Sequence, residues 1–231
     1  AKSAIQIFLK RINENPDADM ILMDAWKNVG SREYPWEHFR RGFIWEDKKK
    51  IRALQRGALY FPSTGNATKI SLAAPWDKLY RRAFLQKESI CFQPNLKVLD
   101  DMVFNVAAFG SAQKVVYSKD KVYHYCYVSD SITNSFSPDR MTQDRKVWKY
   151  LQNYMTESFK KDVWEPKDKY QFIQAYYHRI IKSFSICCRL SFFNSKNENT
   201  VRDKIEFVKE VLGREPYRTA FWKGALRGAE W

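Results

Sequence analysis

Two aspartates stand side by side in the stretch NLKVLDDMVFNVAAF, residues 95–109, with apolar residues on both sides. Ionised carboxylates one residue apart repel, and apolar surroundings raise the cost of keeping both charged. One arrangement that meets this cost is structural. Asp100 or Asp101 caps the helix that the stripe Val103, Val106 and Ala107 predicts over 101–112, accepting backbone N–H bonds at the positive end of the helix dipole. The other is chemical: the pair lines a polar site, where a helix start keeps a carboxylate ionised and a neighbouring carboxylate pushes the other way.

Other chemistries have little to build on. The histidines are His38, His124 and His178, and the cysteines are Cys91, Cys126, Cys187 and Cys188, with no CxxC pair and no histidine at zinc spacing from them. Cys187 and Cys188 fall in a helical pattern and read as small core residues, and reduced thiols suit a cytoplasmic protein. No glycine-rich phosphate loop is present, and no apolar run approaches the ~18 residues of a membrane span. The net charge is +14, spread along the chain rather than gathered in one patch. That excess either favours anionic partners in general (nucleotides, phospholipid head groups or nucleic acid) or is a solvated surface that keeps the protein soluble.

The elements that must position the acid pair follow from periodicity. Residues 2–14 carry apolar positions at helical spacing, and Asn15-Pro16-Asp17 ends that helix. ADMILMDAW predicts a buried strand over 19–25, so helix and buried strand alternate as in an α/β fold. An exposed helix ended by Gly57 is predicted over 46–57, an irregular stretch with a turn at PSTGN over 58–74, and a helix over 75–88 with Pro75 in its first turn. KVVYS and KVYHYCYV predict two short strands after the acidic helix. From 139 the character changes to aromatic and basic helices over 139–161, 168–194, 199–213 and 216–229. This divides the chain into 1–138 and 139–231. With 45% hydrophobic residues and 8 glycines and 8 prolines, a packed core is affordable and a many-turned β fold is disfavoured.

The order of these segments over 73–134 resembles the second half of bacterial family 2 glycosyltransferases, which have the GT-A fold and often build surface polysaccharide such as capsule. The residues that carry the resemblance are Trp76-Asp77-Lys78-Leu79-Tyr80, then Asp100-Asp101-Met102-Val103-Phe104-Asn105, then Tyr123-His124-Tyr125, then Ser131-Ile132-Thr133. The fold class implied is a partial GT-A-type α/β unit followed by a mostly helical C-terminal region, with 1–138 the acceptor-side portion of the catalytic domain. The function implied is transfer of a sugar from a nucleotide-sugar donor to a glycan or lipid-linked acceptor. Matching backwards from Phe104 puts the general base at Asp101, with Asp100 where the family more often has Glu. Trp76 would offer an apolar face to a sugar ring, with Asp77 and Lys78 as hydroxyl partners, or else sit in the core. His124 would reach a donor diphosphate or a metal, or stand among core tyrosines.

The chain also departs from the family. Cys126 and Val128 occupy a segment that often carries arginines. The nucleotide-binding half that ends in an Asp-x-Asp metal motif has no counterpart. Asp17-Ala18-Asp19 spells that motif but precedes a strand instead of following one. A divalent metal, manganese or magnesium, is therefore expected in the intact enzyme and not in these residues, which alone are expected not to transfer sugar. Arg179, Lys182 and Arg189, and Trp222, Lys223, Arg227 and Trp231 in the last helix, either form the wet basic side of helices packed on the α/β part or make peripheral contact with the inner face of the membrane. The alternative is a non-catalytic basic module that binds anionic membrane or nucleic acid. No recognised nucleic-acid-binding motif occurs, so nucleic acid is not an expected partner of the enzyme.

Overall fold

The computed structural model describes residues 3–60, 71–126 and 135–225. They form two compact units, one of residues 1–93 with 101–128, the other of residues 94–100 with 129–231.

The first unit opens with helix α1 (Ala4–Glu14), as the spacing predicts, and strand β1 (Met20–Val29), which is longer than expected. β1 runs antiparallel to β2 (Arg32–Trp36) through a two-residue turn, in which Gly30 takes the positive φ of +59° that glycine adopts without strain. The sequence reading missed β2, whose Pro35 cannot donate a ladder hydrogen bond. β2 is an edge strand, where that loss costs least. The three-residue β3 (Phe43–Trp45) was missed as well; it lies at the other edge and pairs antiparallel with β5 (Val115–Cys126). β5 is one strand rather than two, parallel to β1, with register shifts between Leu22 and Asp24 and between Asp24 and Ala25.

The helix expected over 75–88 does not form as one element. Lys78–Tyr80 is instead β4, antiparallel to Met20–Leu22 of β1, and only Arg82–Lys87 is helical, as α3. Pairing fills the edge of β1 that β2 leaves open, and it separates the supposed apolar stripe: Leu79 packs with α1, while Tyr80 turns to the other side. Helix α2 (Lys48–Leu59) runs through Gly57 and buries Ile51, Leu54, Ala58 and Leu59, so it is a packed helix and not an exposed one. α4 (Asp100–Ser111) forms where expected.

Strand alternation sorts the sheet into two sides. Ile21, Met23, Val116 and Val122 pack with α1. Their neighbours Met20, Leu22, Asp24, Tyr117 and Tyr123 face away from α1. α2 and α4 are fastened to each other by Lys48 Nζ on the Gly110 carbonyl and Gln55 Nε2 on the Val106 carbonyl.

The second unit is helical: α5 (Arg140–Lys161), α6 (Pro166–Cys187) continued by a π turn at Cys188–Phe192, α7 (Val201–Gly213) and α8 (Tyr217–Ala225). Trp148, Phe172, Ile180 and Tyr217 fill its core, and the Trp148 indole donates to the Tyr217 hydroxyl at 3.1 Å. The buried Asp144 accepts from Arg140 Nε at 3.0 Å, from the Ser183 hydroxyl and from the Cys187 thiol. Among the described residues no helix is long and apolar enough to cross a membrane.

Candidate functional site

On the side of the sheet away from α1, charged groups gather beneath the start of β4. Asp77 and Lys78 have fully buried side chains, and Asp77 Oδ1 accepts from Lys78 Nζ at 2.7 Å. Lys78 Nζ also donates to the Ala74 carbonyl at 2.5 Å. Asp77 Oδ2 lies 2.7 Å from His38 Nε2. Burial pushes the Asp77 carboxyl up, but the Lys78 charge and the His38 hydrogen bond outweigh it and hold the group below its usual range. Burial pulls the Lys78 ammonium below the usual lysine range, with Asp77 opposing. Because Asp77 is an acceptor, the His38 ring donates from Nε2, which leaves the buried Nδ1 without a hydrogen-bond partner. Beside it Asp24 accepts from the His38 backbone N–H at 3.0 Å and from the Tyr117 hydroxyl at 2.8 Å. Burial raises both Asp24 and Tyr117 above their usual ranges.

Asp101 is linked to this cluster through α4. The helix opens at Asp100, so both aspartates lie in its first turn, one position later than the expected cap. Leu99, immediately before it, has φ +57°, a conformation that costs a branched side chain roughly 1–2 kcal/mol. Asp100 is half-buried and Asp101 is exposed. The charge of Asp101 is felt by both Lys78 and Tyr80. Asn105, one turn on, is fully buried and satisfied on both ends of its amide. Its Nδ2 donates to the carbonyls of Asp101 at 3.0 Å and Ala73 at 2.9 Å, and its Oδ1 accepts from the Tyr80 hydroxyl at 2.8 Å.

Trp76 is half-buried and belongs to an aromatic cluster. Its ring centroid is 4.5 Å from Tyr123, in a stacked arrangement, and 5.8 Å from both Trp36 and Tyr125. It thus keeps part of its surface open, as a sugar-stacking residue must. Asp77 and Lys78 are placed differently from the sequence expectation of hydroxyl contacts. Their side chains spend their hydrogen bonds on each other, on His38 and on Ala74, and have no open surface. His124 is exposed, with Nδ1 3.0 Å from Glu33 Oε1. Alternation from Val122 puts it on the α1 side of the sheet, so the fold does not bring it to the acid pair. Ser131, Ile132 and Thr133 lie outside the described residues, as do Val128, Arg227 and Trp231. Asp19 is engaged by the backbone N–H of Gln113 at 2.8 Å, and Asp17 by Lys114 at 2.8 Å. Among the described residues no three His, Cys, Asp or Glu side chains converge to hold a metal ion.

Sequence reasoning missed Asp24, His38 and Trp36. One signal was available for Asp24: an acid inside an otherwise continuous apolar strand needs buried partners. His38 carried none, because its partner is 39 residues away.

This fold is similar to solved structures of S. aureus TarS. Against TarS 1-349 in complex with UDP-GlcNAc the TM-score is 0.55 at 17% identity, covering 95% of this chain and 54% of that one. Against the crystal structure of TarS 1-349 it is 0.53 at 17% identity, covering 90% of this chain and 50% of that one. The chain spans about half the length of the solved structures it matches. No protein-family model and no curated protein matches the sequence. The likeness establishes the fold class: a mixed α/β unit followed by a helical C-terminal region, as in part of the TarS structures.

Proposed function

We propose that the chain is the acceptor-side part of a family 2 glycosyltransferase that moves a sugar from a nucleotide-sugar to a glycan or lipid-linked acceptor, as in surface polysaccharide synthesis. The observation that carries this reading is the position of Asp101. It is an exposed carboxylate in the first turn of a helix, tied through Asn105 to the strand that bears Lys78 and Tyr80. The similar TarS structure holds UDP-GlcNAc, which makes a nucleotide-sugar the donor class to expect.

In the proposed reaction the acceptor hydroxyl donates its proton to the Asp101 carboxylate. The oxygen attacks the anomeric carbon, and the nucleoside diphosphate leaves with the bonding electrons. Asp100 stands beside Asp101 in the same turn. Trp76 presents its open face to an acceptor ring. The buried Asp77–Lys78 pair fixes the loop that carries Trp76. A divalent cation, manganese or magnesium, is the cofactor that goes with such a donor. Among the described residues no three His, Cys, Asp or Glu side chains gather to hold one.

A cytoplasmic enzyme resting on the inner membrane face suits a lipid-linked acceptor. Trp222 of α8, 71% exposed beside Lys223, is the residue to meet that surface. Absence of co-sedimentation with anionic liposomes at low salt would remove the membrane contact.

The test of the chemistry is Asp101→Asn in the intact gene product, assayed by release of nucleoside diphosphate. A fall in kcat of about 10²–10⁴ with donor KM unchanged is expected for a lost general base. Undiminished turnover in a correctly folded variant ends the assignment.

A further inference from the structure

Strand register sets two rows of side chains on one face of the sheet. Trp36, Ala25 and Tyr123 stand opposite one another in the first row, and Tyr34, Lys27 and Tyr125 in the second. Tyr123 faces away from α1, because its neighbour Val122 packs with that helix, so both rows lie on the side that carries Asp24 and Tyr117. In the first row the small Ala25 leaves room for Trp76, whose ring meets Trp36 and Tyr123. In the second row the middle position is a lysine and the flanks stay open: Tyr34 is 44% exposed, and Lys27 and Tyr125 are half-buried.

Lys27 is the unexplained part of this surface. Its Nζ lies 5.5 Å from the centroid of the Trp36 ring, and among the described residues no carboxylate pairs with it. Elsewhere on this sheet lysines find acids: Lys121 and Lys119 reach Glu37 at 3.1 and 3.4 Å, and Lys114 reaches Asp17 and Glu46 at 2.8 and 3.1 Å. An ammonium against one aromatic ring gains only about 0.5–1 kcal/mol from the ring quadrupole. Its complement is an anion carried on a body with an apolar face. A pyranose bearing a carboxylate or a phosphate has both.

We propose that this face binds the acceptor, and that the acceptor is an anionic glycan, with a pyranose ring packed on Tyr34, Trp36 and Tyr125 and its carboxylate or phosphate paired with Lys27. The inference rests on the acceptor-side reading above and adds the substrate class to it. The chain's net charge of +14 favours encounter with such a polymer at long range, and Lys27 reads the charge at contact.

Binding to the 231-residue chain, followed by tryptophan fluorescence, tests this without any catalytic step. The probes are oligogalacturonate, a phosphomannan oligosaccharide, cellohexaose and polyphosphate, each at about 0.15 M salt, where long-range attraction is screened. At least one charged oligosaccharide is expected to bind about ten-fold more tightly than both cellohexaose and polyphosphate, and which of the two does so identifies the charged group. Lys27→Met, which keeps the apolar stem, is expected to remove about that ten-fold preference and to leave cellohexaose binding unchanged. Tyr34→Ala, on an exposed edge strand, is expected to weaken the charged glycans without altering polyphosphate binding. Equal affinity for polyphosphate and the charged glycans, no binding by either charged glycan, or affinities indifferent to Lys27→Met overturn the proposal. Asp101→Asn separates the two readings. If it binds these glycans as the unaltered chain does and yet keeps full turnover in the intact gene product, the base assignment fails and the acceptor surface stands.

Discussion

The side-chain amide of Asn105 donates to the backbone carbonyl of Asp101, 3.0 Å away and one helical turn earlier. The same nitrogen holds the Ala73 carbonyl, and the amide oxygen receives the Tyr80 hydroxyl. One buried side chain therefore joins the turn that carries the candidate base, the loop leading to Trp76, and strand β4. Asn105→Ala is expected to leave these partners unsatisfied, at a cost of about 1–3 kcal/mol for each group that stays buried. Chemical denaturation followed by tryptophan fluorescence measures the loss. A variant as stable as the unaltered chain would mean that water replaces the amide at no cost.

The Asp77–Lys78 pair makes a second prediction. Lys78→Met leaves a buried carboxylate with only His38 against it and is expected to cost about 3–5 kcal/mol. Adding Asp77→Leu removes that uncompensated charge, so the double variant is expected to recover part of the loss despite carrying two changes. Denaturant midpoints for the two single variants and the double variant form the cycle that checks this. Simple additivity of the two losses would contradict the ion pair.

Acid pH reads a different pair. The hydrogen bond from Arg11 Nε to Asp120 Oδ2, at 2.5 Å, holds the Asp120 carboxyl below its usual range. A depressed carboxylate contributes stability that is fully present above the unfolded value, near pH 4, and is lost as pH falls through the folded value. Asp120→Asn is therefore expected to lower Tm at neutral pH, with the difference shrinking below about pH 4. Thermal unfolding of both proteins from pH 7 to pH 3 shows whether the curves converge. Asp24 and Asp144 are raised by burial, and their contribution has the opposite sign, but it is common to both proteins and cancels from the comparison.

The end of α3 offers a stabilising change. Ser89 has φ +54°, while the N–H of Ile90 reaches the Leu85 carbonyl at 2.9 Å and that of Ser89 reaches the Gln86 carbonyl at 3.2 Å. These are the two hydrogen bonds of a helix end that ordinarily recruits glycine at the left-handed position. Ser89 is exposed, so Ser89→Gly gives up no buried contact. It is expected to raise stability by roughly 1 kcal/mol, visible as a higher Tm.

Local pattern carried much of the architecture. The apolar run within residues 19–25 reads as a strand buried on both faces because it is short and continuously apolar, and the stripe after Asp101 reads as a helix because it presents one apolar face. The acid pair was legible for a related reason: two charges inside an apolar stretch conflict with burial wherever they fall. Segments whose conformation is imposed by a partner were not legible. Lys78–Tyr80 has helical spacing and becomes a strand because Met20–Leu22 offers it an unpaired edge. Arg32–Trp36, with its proline and charges, becomes one because β1 extends beyond its apolar run.

The amino-acid sequence by itself determined the helices α1 and α4, the buried strand β1, the strongly basic charge and the place of two carboxylates at the start of a helix, since these depend on neighbours in the chain. The tertiary structure alone decided which side chains meet: His38 with Asp77, Asn105 with Tyr80, and Lys27 between two tyrosines, with no carboxylate paired to it among the described residues. Such meetings depend on strand register, and a shift of one residue turns every side chain of a strand to the other face. No local spacing encodes that choice, because it is made by the partner strand.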